Sequence, residues 1–146
     1  MKKPFLWIAY IVLFGFIFAC TGCFPHKYTL MYEQSEITSI EIVSLPYGHH
    51  YTESLKEETL LGQIEDISAF LNDFSKMEFE YIHPPYDSIV PTIAVKITYR
   101  TGDCEWISPH GVSMLRDDSV TFSGTESCDE AQFLAWVESY AKVQIT

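Results

Sequence analysis

The sequence predicts an α+β fold: an antiparallel sheet of about five to seven strands with one central and one C-terminal helix packed on one face. Three observations point there. Several segments alternate apolar and polar residues, the period of a half-buried strand. Two segments, 65–77 and 127–143, carry apolar residues at helical spacing instead. Short turn signals such as Thr101-Gly102-Asp103 join consecutive strands as hairpins, which makes neighbours antiparallel.

In chain order, residues 24–36 are polar without a clean period and read as a tether. "ITSIEIVSL" (37–45) alternates, with Ile40 and Ile42 on one face and Glu41 on the other. "PYGHHYTES" (46–54) contains Pro and Gly and reads as a loop or hairpin tip. "ETLLGQI" (58–64) reads as a second strand. "EDISAFLNDFSKM" (65–77) reads as a helix, with Ile67, Phe70, Leu71 and Phe74 on one stripe and acids in the first turn, where the helix dipole favours them.

"EFEYI" (78–82) returns to alternation and sets Phe79 and Tyr81 on a common face. "HPPYDSIVP" (83–91) holds three prolines and reads as a loop. "TIAVKITYR" (92–100) is the clearest strand: Ile93, Val95, Ile97 and Tyr99 share a face, and Lys96, Thr98 and Arg100 share the other. Lys96 and Arg100 are expected to pair with acids on neighbouring strands. "CEWIS" (104–108), "VSML" (112–115) and "SVTFS" (119–123) follow as short strands. The last element, 127–143, is a helix with Phe133, Trp136, Val137 and Tyr140 on its apolar stripe. Ser127 and Glu130 have the spacing of a capping box.

The first 24 residues differ in character. Lys2 and Lys3 precede fifteen uncharged residues, Phe5 to Ala19, and small residues stand at the exit. A basic start, an apolar middle and a small-residue end form the pattern of an export signal. Phe5 to Phe24 is twenty residues without a charge, so an uncleaved membrane anchor has the necessary length as well. Either way the rest of the chain lies outside the cytoplasmic membrane. Domain organisation is then 1–23 signal, 24–36 tether and 37–146 a single extracytoplasmic domain.

The segment resembles the signal of a bacterial lipoprotein, whose four-residue lipobox ends in the cysteine that receives lipid. Ile17-Phe18-Ala19-Cys20 supplies the aliphatic and small positions but has Phe18 where a small residue is usual. Cys20-Thr21-Gly22-Cys23 supplies two small residues but has Cys20 where Leu is usual. The resemblance implies lipidation at Cys20, with Cys23 as the alternative. With "TIAVKITYRTGDCEWIS", "ISAFLNDF" and the acidic C-terminal helix, the whole chain resembles small uncharacterised lipoproteins of Gram-positive bacteria. That likeness implies a lipid-anchored domain on the extracytoplasmic side of the cell membrane and transfers no active site.

Composition bounds the partners. From Lys27 onward there are 7 basic and 20 acidic residues, a net charge of −13. Such a surface is repelled by phosphate backbones, so nucleic acid is excluded as a partner class. It is repelled by anionic headgroups too, so membrane attachment falls to the lipid anchor. Ten Phe, nine Tyr and three Trp provide enough apolar mass for a core.

Outside the signal the two cysteines are Cys104 and Cys128, and an extracytoplasmic location with an even count predicts a disulfide between them. Of the histidines, His49 and His50 are adjacent and point apart on an extended chain, and none has zinc spacing, so no metal or cofactor is expected. Ser108 and His110 are close in "SPHG" without a third group to orient them. There is no G-x-S-x-G and no glycine-rich phosphate loop. The chain therefore reads as non-enzymatic: a binding or accessory module for an extracellular protein, peptide or glycan, with Tyr47, Tyr51, Tyr86 and Trp106 as candidate contact residues. An inhibitor of an extracellular enzyme is the alternative, followed by a small enzyme or metal-capture protein.

Overall fold

A computed structural model describes residues 25–46, 52–81, 92–123 and 126–141. The α+β expectation holds. A six-stranded antiparallel sheet is built from β1 (Ile37–Leu45), β2 (Thr59–Gln63), β4 (Thr92–Tyr99), β5 (Cys104–Ser108), β6 (Gly111–Arg116) and β7 (Ser119–Ser123), in the order β2-β1-β4-β5-β6-β7. A second, two-stranded sheet joins β3 (Glu80–Tyr81) to β8 (Glu126–Ser127). The helices are α1 (Thr52–Lys56), α2 (Ile67–Phe74) and α3 (Glu130–Ala141). The tyrosines at 47, 51 and 86, the cysteines at 20 and 23, and the loop readings at 47–51 and 83–91 lie outside the described residues.

The main core lies on the face covered by α2 and α3. Ile40 and Ile42 of β1 sit opposite Ile97 and Val95 of β4, and all four are buried. Ile107 and Val112 extend the same layer across β5 and β6. Phe70, Leu71 and Phe74 of α2 and Phe133 and Val137 of α3 close over it. Burying each such side chain contributes about 1.5–3 kcal/mol. Trp136 stacks on Phe70 at 4.3 Å, and the Tyr140 hydroxyl donates to Asp73 at 2.6 Å, which locks the two helices together.

The helix starts follow from capping chemistry. Asp66 accepts from the Ala69 N–H at 2.9 Å, satisfying one of the free donors of α2. At α3 the cap is Asp129, which accepts from the Gln132 N–H at 2.7 Å. The expected Ser127–Glu130 box does not form. Ser127 is held in β8 opposite Glu80, so the chain has not yet turned into the helix at that point.

Two further readings are corrected. The stretch 52–56 is helical, and its Leu55 packs under the opposite sheet face with Val43, Leu45, Ala94, Cys104 and Trp106. The sheet is therefore covered in part on both sides, and every residue of β5 is buried. The expected tether is, from residue 26 onward, part of the packed domain. His26 exchanges backbone hydrogen bonds with Phe79 (2.8 and 2.9 Å), and Tyr28, Leu30, Met31 and Tyr32 pack on the main core. A short 3-10 turn at Gln34–Glu36 then feeds β1.

Candidate functional site

The segment from His26 to Gln34 crosses the domain as a strap. Its even-numbered side chains turn inward and its odd-numbered ones outward through Thr29, the alternation of an extended chain on a surface. The strap is fastened at three levels. His26 Nε2 lies 2.7 Å from Glu126 Oε2, and its ring stacks on Tyr81 at 4.3 Å. In the middle, the Tyr28 hydroxyl donates to Glu105 at 2.8 Å and the Met31 N–H donates to the same carboxylate at 3.3 Å. At the far end, the Tyr32 hydroxyl donates to Asp103 at 2.6 Å, and the Arg100 N–H donates to the Glu36 carbonyl at 2.8 Å.

Glu105 is the centre of this arrangement. Alternation along β5 puts it on the same face as Ile107, and it is fully buried. Besides the two strap donors it accepts from the Tyr99 hydroxyl. Burial pushes its pKa up, and the three hydrogen bonds, led by those from Tyr99 and Tyr28, pull against that shift. Burial and the neighbouring carboxylate also push the Tyr28 and Tyr99 phenols well above their usual range. Both therefore stay protonated and serve as donors. The triad is a fully partnered buried cluster that ties strap, β4 and β5 together.

Asp103 is fixed at the turn end. It accepts from Tyr32, from the Thr101 hydroxyl at 2.9 Å and from the Asp117 N–H at 3.2 Å. The Tyr32 hydrogen bond, then that of Thr101, lowers its pKa. The strap residues Tyr28 to Gln34 also line an open groove of about 650 Å³. Half-buried Tyr28, Leu30, Met31 and Tyr32 give it apolar walls, and exposed Thr29, Glu33 and Gln34 give it polar ones.

The structure redistributes the residues singled out in the sequence. Trp106 is not a surface contact residue. It is 4% exposed on the opposite sheet face, donates its indole N–H to Glu58 at 2.6 Å, and lies under Lys96 at 5.4 Å from the ring. Lys96 is paired with the same Glu58, just before β2, and Arg100 lies 3.6 Å from Glu36, in the turn before β1, so these partners are not the neighbouring-strand acids that were expected. The predicted Cys104–Cys128 disulfide is absent, and both thiols are free. The reason is topological. Cys104 points into the Trp106 cluster, whereas Cys128 packs on the α2–α3 side of the sheet.

Ser108 is fully buried and turns its hydroxyl to the Gly111 carbonyl at 3.3 Å, while the His110 N–H donates back to that hydroxyl at 3.2 Å. The pair serves the β5–β6 turn. Among the described residues no His, Cys, Asp and Glu side chains are grouped to hold a metal ion, and no helix is long and apolar enough to cross a membrane.

Sequence reasoning missed the strap and Glu105. Two signals were present. Even positions 26, 28, 30 and 32 are His, Tyr, Leu and Tyr, a strand-like run hidden by the lysine and threonine between them. In "CEWIS" an acid shares a face with Ile107, and an acid on an apolar face needs donors such as tyrosine. No known family model, curated protein or solved structure matches this chain.

Proposed function

We propose that this chain is a membrane-anchored extracytoplasmic lipoprotein whose domain is a non-catalytic binding or accessory module at the cell surface. The lipobox-like run ending at Cys20 or Cys23 supports the anchor. The observation that carries the binding role is the strap groove between Tyr28 and Gln34. Tyrosine, leucine and methionine walls beside polar rims are the mixture that protein, peptide and glycan ligands use, since aromatic and thioether side chains offer large contact area with adaptable packing. The groove is backed by a satisfied buried cluster, so its walls are held in place before a partner arrives.

Capture with a tagged copy from its own membranes tests this reading. Thr29→Arg places a bulky charge in the groove at an exposed position and is expected to lose the partner without changing thermal stability or membrane retention. Capture that is indifferent to both Thr29→Arg and Gln34→Arg contradicts the groove as the docking surface.

A further inference from the structure

We infer that the domain is seated on the membrane surface by its β3–β8 end, with Tyr81 at the lipid headgroups and the Tyr99–Asp103 and Arg116–Ser119 turns pointing away. The inference rests on the proposed membrane anchor and adds its geometry. The first charged residue after Lys3 is Lys27, and the chain is already fixed at His26 by two backbone hydrogen bonds to Phe79. His26 stands three positions after Cys23 and six after Cys20. An extended chain reaches at most about 11 Å or about 22 Å over those lengths. For a retained span the connection is shorter still. All three anchors therefore hold the same end of the domain close to the bilayer.

That end is identifiable. Phe79 runs into β3, which pairs with β8, and the Cys128 N–H after β8 donates to the Pro109 carbonyl at 3.0 Å. The β5–β6 turn thus lies on the membrane side. From there the strap runs along the domain to Tyr32 at the Asp103 turn, six residues on, a span of at most about 22 Å. The turn carrying Asp103 and the neighbouring one carrying Asp117 and Asp118 are therefore distal.

Tyr81 is 51% exposed at the proximal end, one of two large exposed apolar side chains among the described residues, and it stacks on the His26 ring. An amphipathic ring of this kind suits the bilayer interface. Charge does not drive the seating. Glu78, Glu80 and Glu130 are exposed near this end and oppose anionic headgroups. Short connection and ring do the holding.

Site-specific photocrosslinking of the full chain in phosphatidylglycerol–phosphatidylcholine vesicles tests this. A benzoylphenylalanine in place of Tyr81 is expected to label lipid at least about fivefold more than one in place of Asp118, as an interfacial ring should. Vesicle flotation separates the two layers of the inference. If the chain does not float with the vesicles, the anchor reading fails and the seating with it. If it floats but positions 81 and 118 label equally, the seating is wrong while the anchor stands.

Discussion

The Tyr28 hydroxyl donates to the buried Glu105 carboxylate at 2.8 Å, across 77 positions of sequence. This contact turns a stretch that looks like a linker into a structural element. Through it the segment that begins at His26 is tied to β5, a strand buried along its whole length.

Removing that donor has a measurable cost. Tyr28→Phe keeps the ring packed on Phe74 and Phe79 but leaves one carboxylate oxygen without its partner. Losing a buried hydrogen bond to an ionisable group destabilises by about 1–3 kcal/mol. Urea denaturation reads the loss, and limited proteolysis is expected to cut near residues 27–34 before the sheet unfolds.

Glu105 gives the fold a specific pH signature. Burial raises its folded-state pKa above the ordinary glutamate value of 4.5, so the charged form is less favourable in the folded chain than in the unfolded one. Its contribution to stability is fully present below that value and declines as pH rises through the raised pKa. Asp103 and Asp73 act in the opposite sense: their pKa values are lowered, so their contributions hold above 3.8 and fade as pH falls through their folded-state values. Comparing wild type with Glu105→Gln between pH 4.5 and 8 isolates the first effect. The stability difference is expected to shift in favour of the variant as pH rises, and a pH-independent difference contradicts it.

The β6–β7 hairpin turns through Asp117 and Asp118 with φ of 49° and 62°. Two consecutive left-handed residues are what a tight two-residue hairpin requires, and glycine meets that requirement without a Cβ penalty. Asp118→Gly is therefore expected to stabilise the domain by about 0.5 kcal/mol, net of glycine's greater unfolded-state freedom. Gly111→Ala goes the other way, because a Cβ there meets the Phe122 ring at 2.8 Å and the Ser123 carbonyl at 2.9 Å.

Both domain thiols are free and remain countable. Under non-reducing denaturation, alkylation is expected to add two labels at Cys104 and Cys128. In the native state both are slow: Cys104 is buried, and burial pushes the Cys128 thiol up to about 12, so little thiolate forms at neutral pH. A mass two units lower with no alkylation at either site contradicts the free-thiol arrangement.

Strong periodicity made the sheet and the two larger helices legible. Ile40, Ile42, Val95 and Ile97 alternate cleanly, and Phe70, Phe74, Phe133 and Val137 keep helical spacing, so local pattern and tertiary burial agree. The candidate site was harder to read because its contacts are non-local. Nothing near Tyr28 in sequence reveals that its partner is Glu105, and nothing near Cys104 reveals that a sheet separates it from Cys128. Trp106 misled for a related reason: a strand covered on both faces hides residues that alternation assigns to solvent.

Intact-mass measurement of the membrane-extracted protein and its Cys20→Ala and Cys23→Ala variants tests the anchored-module reading most directly. The expected result is a lipid-sized addition on one cysteine, lost together with membrane retention in the matching variant. A mass and membrane association that neither substitution alters would contradict the lipoprotein reading.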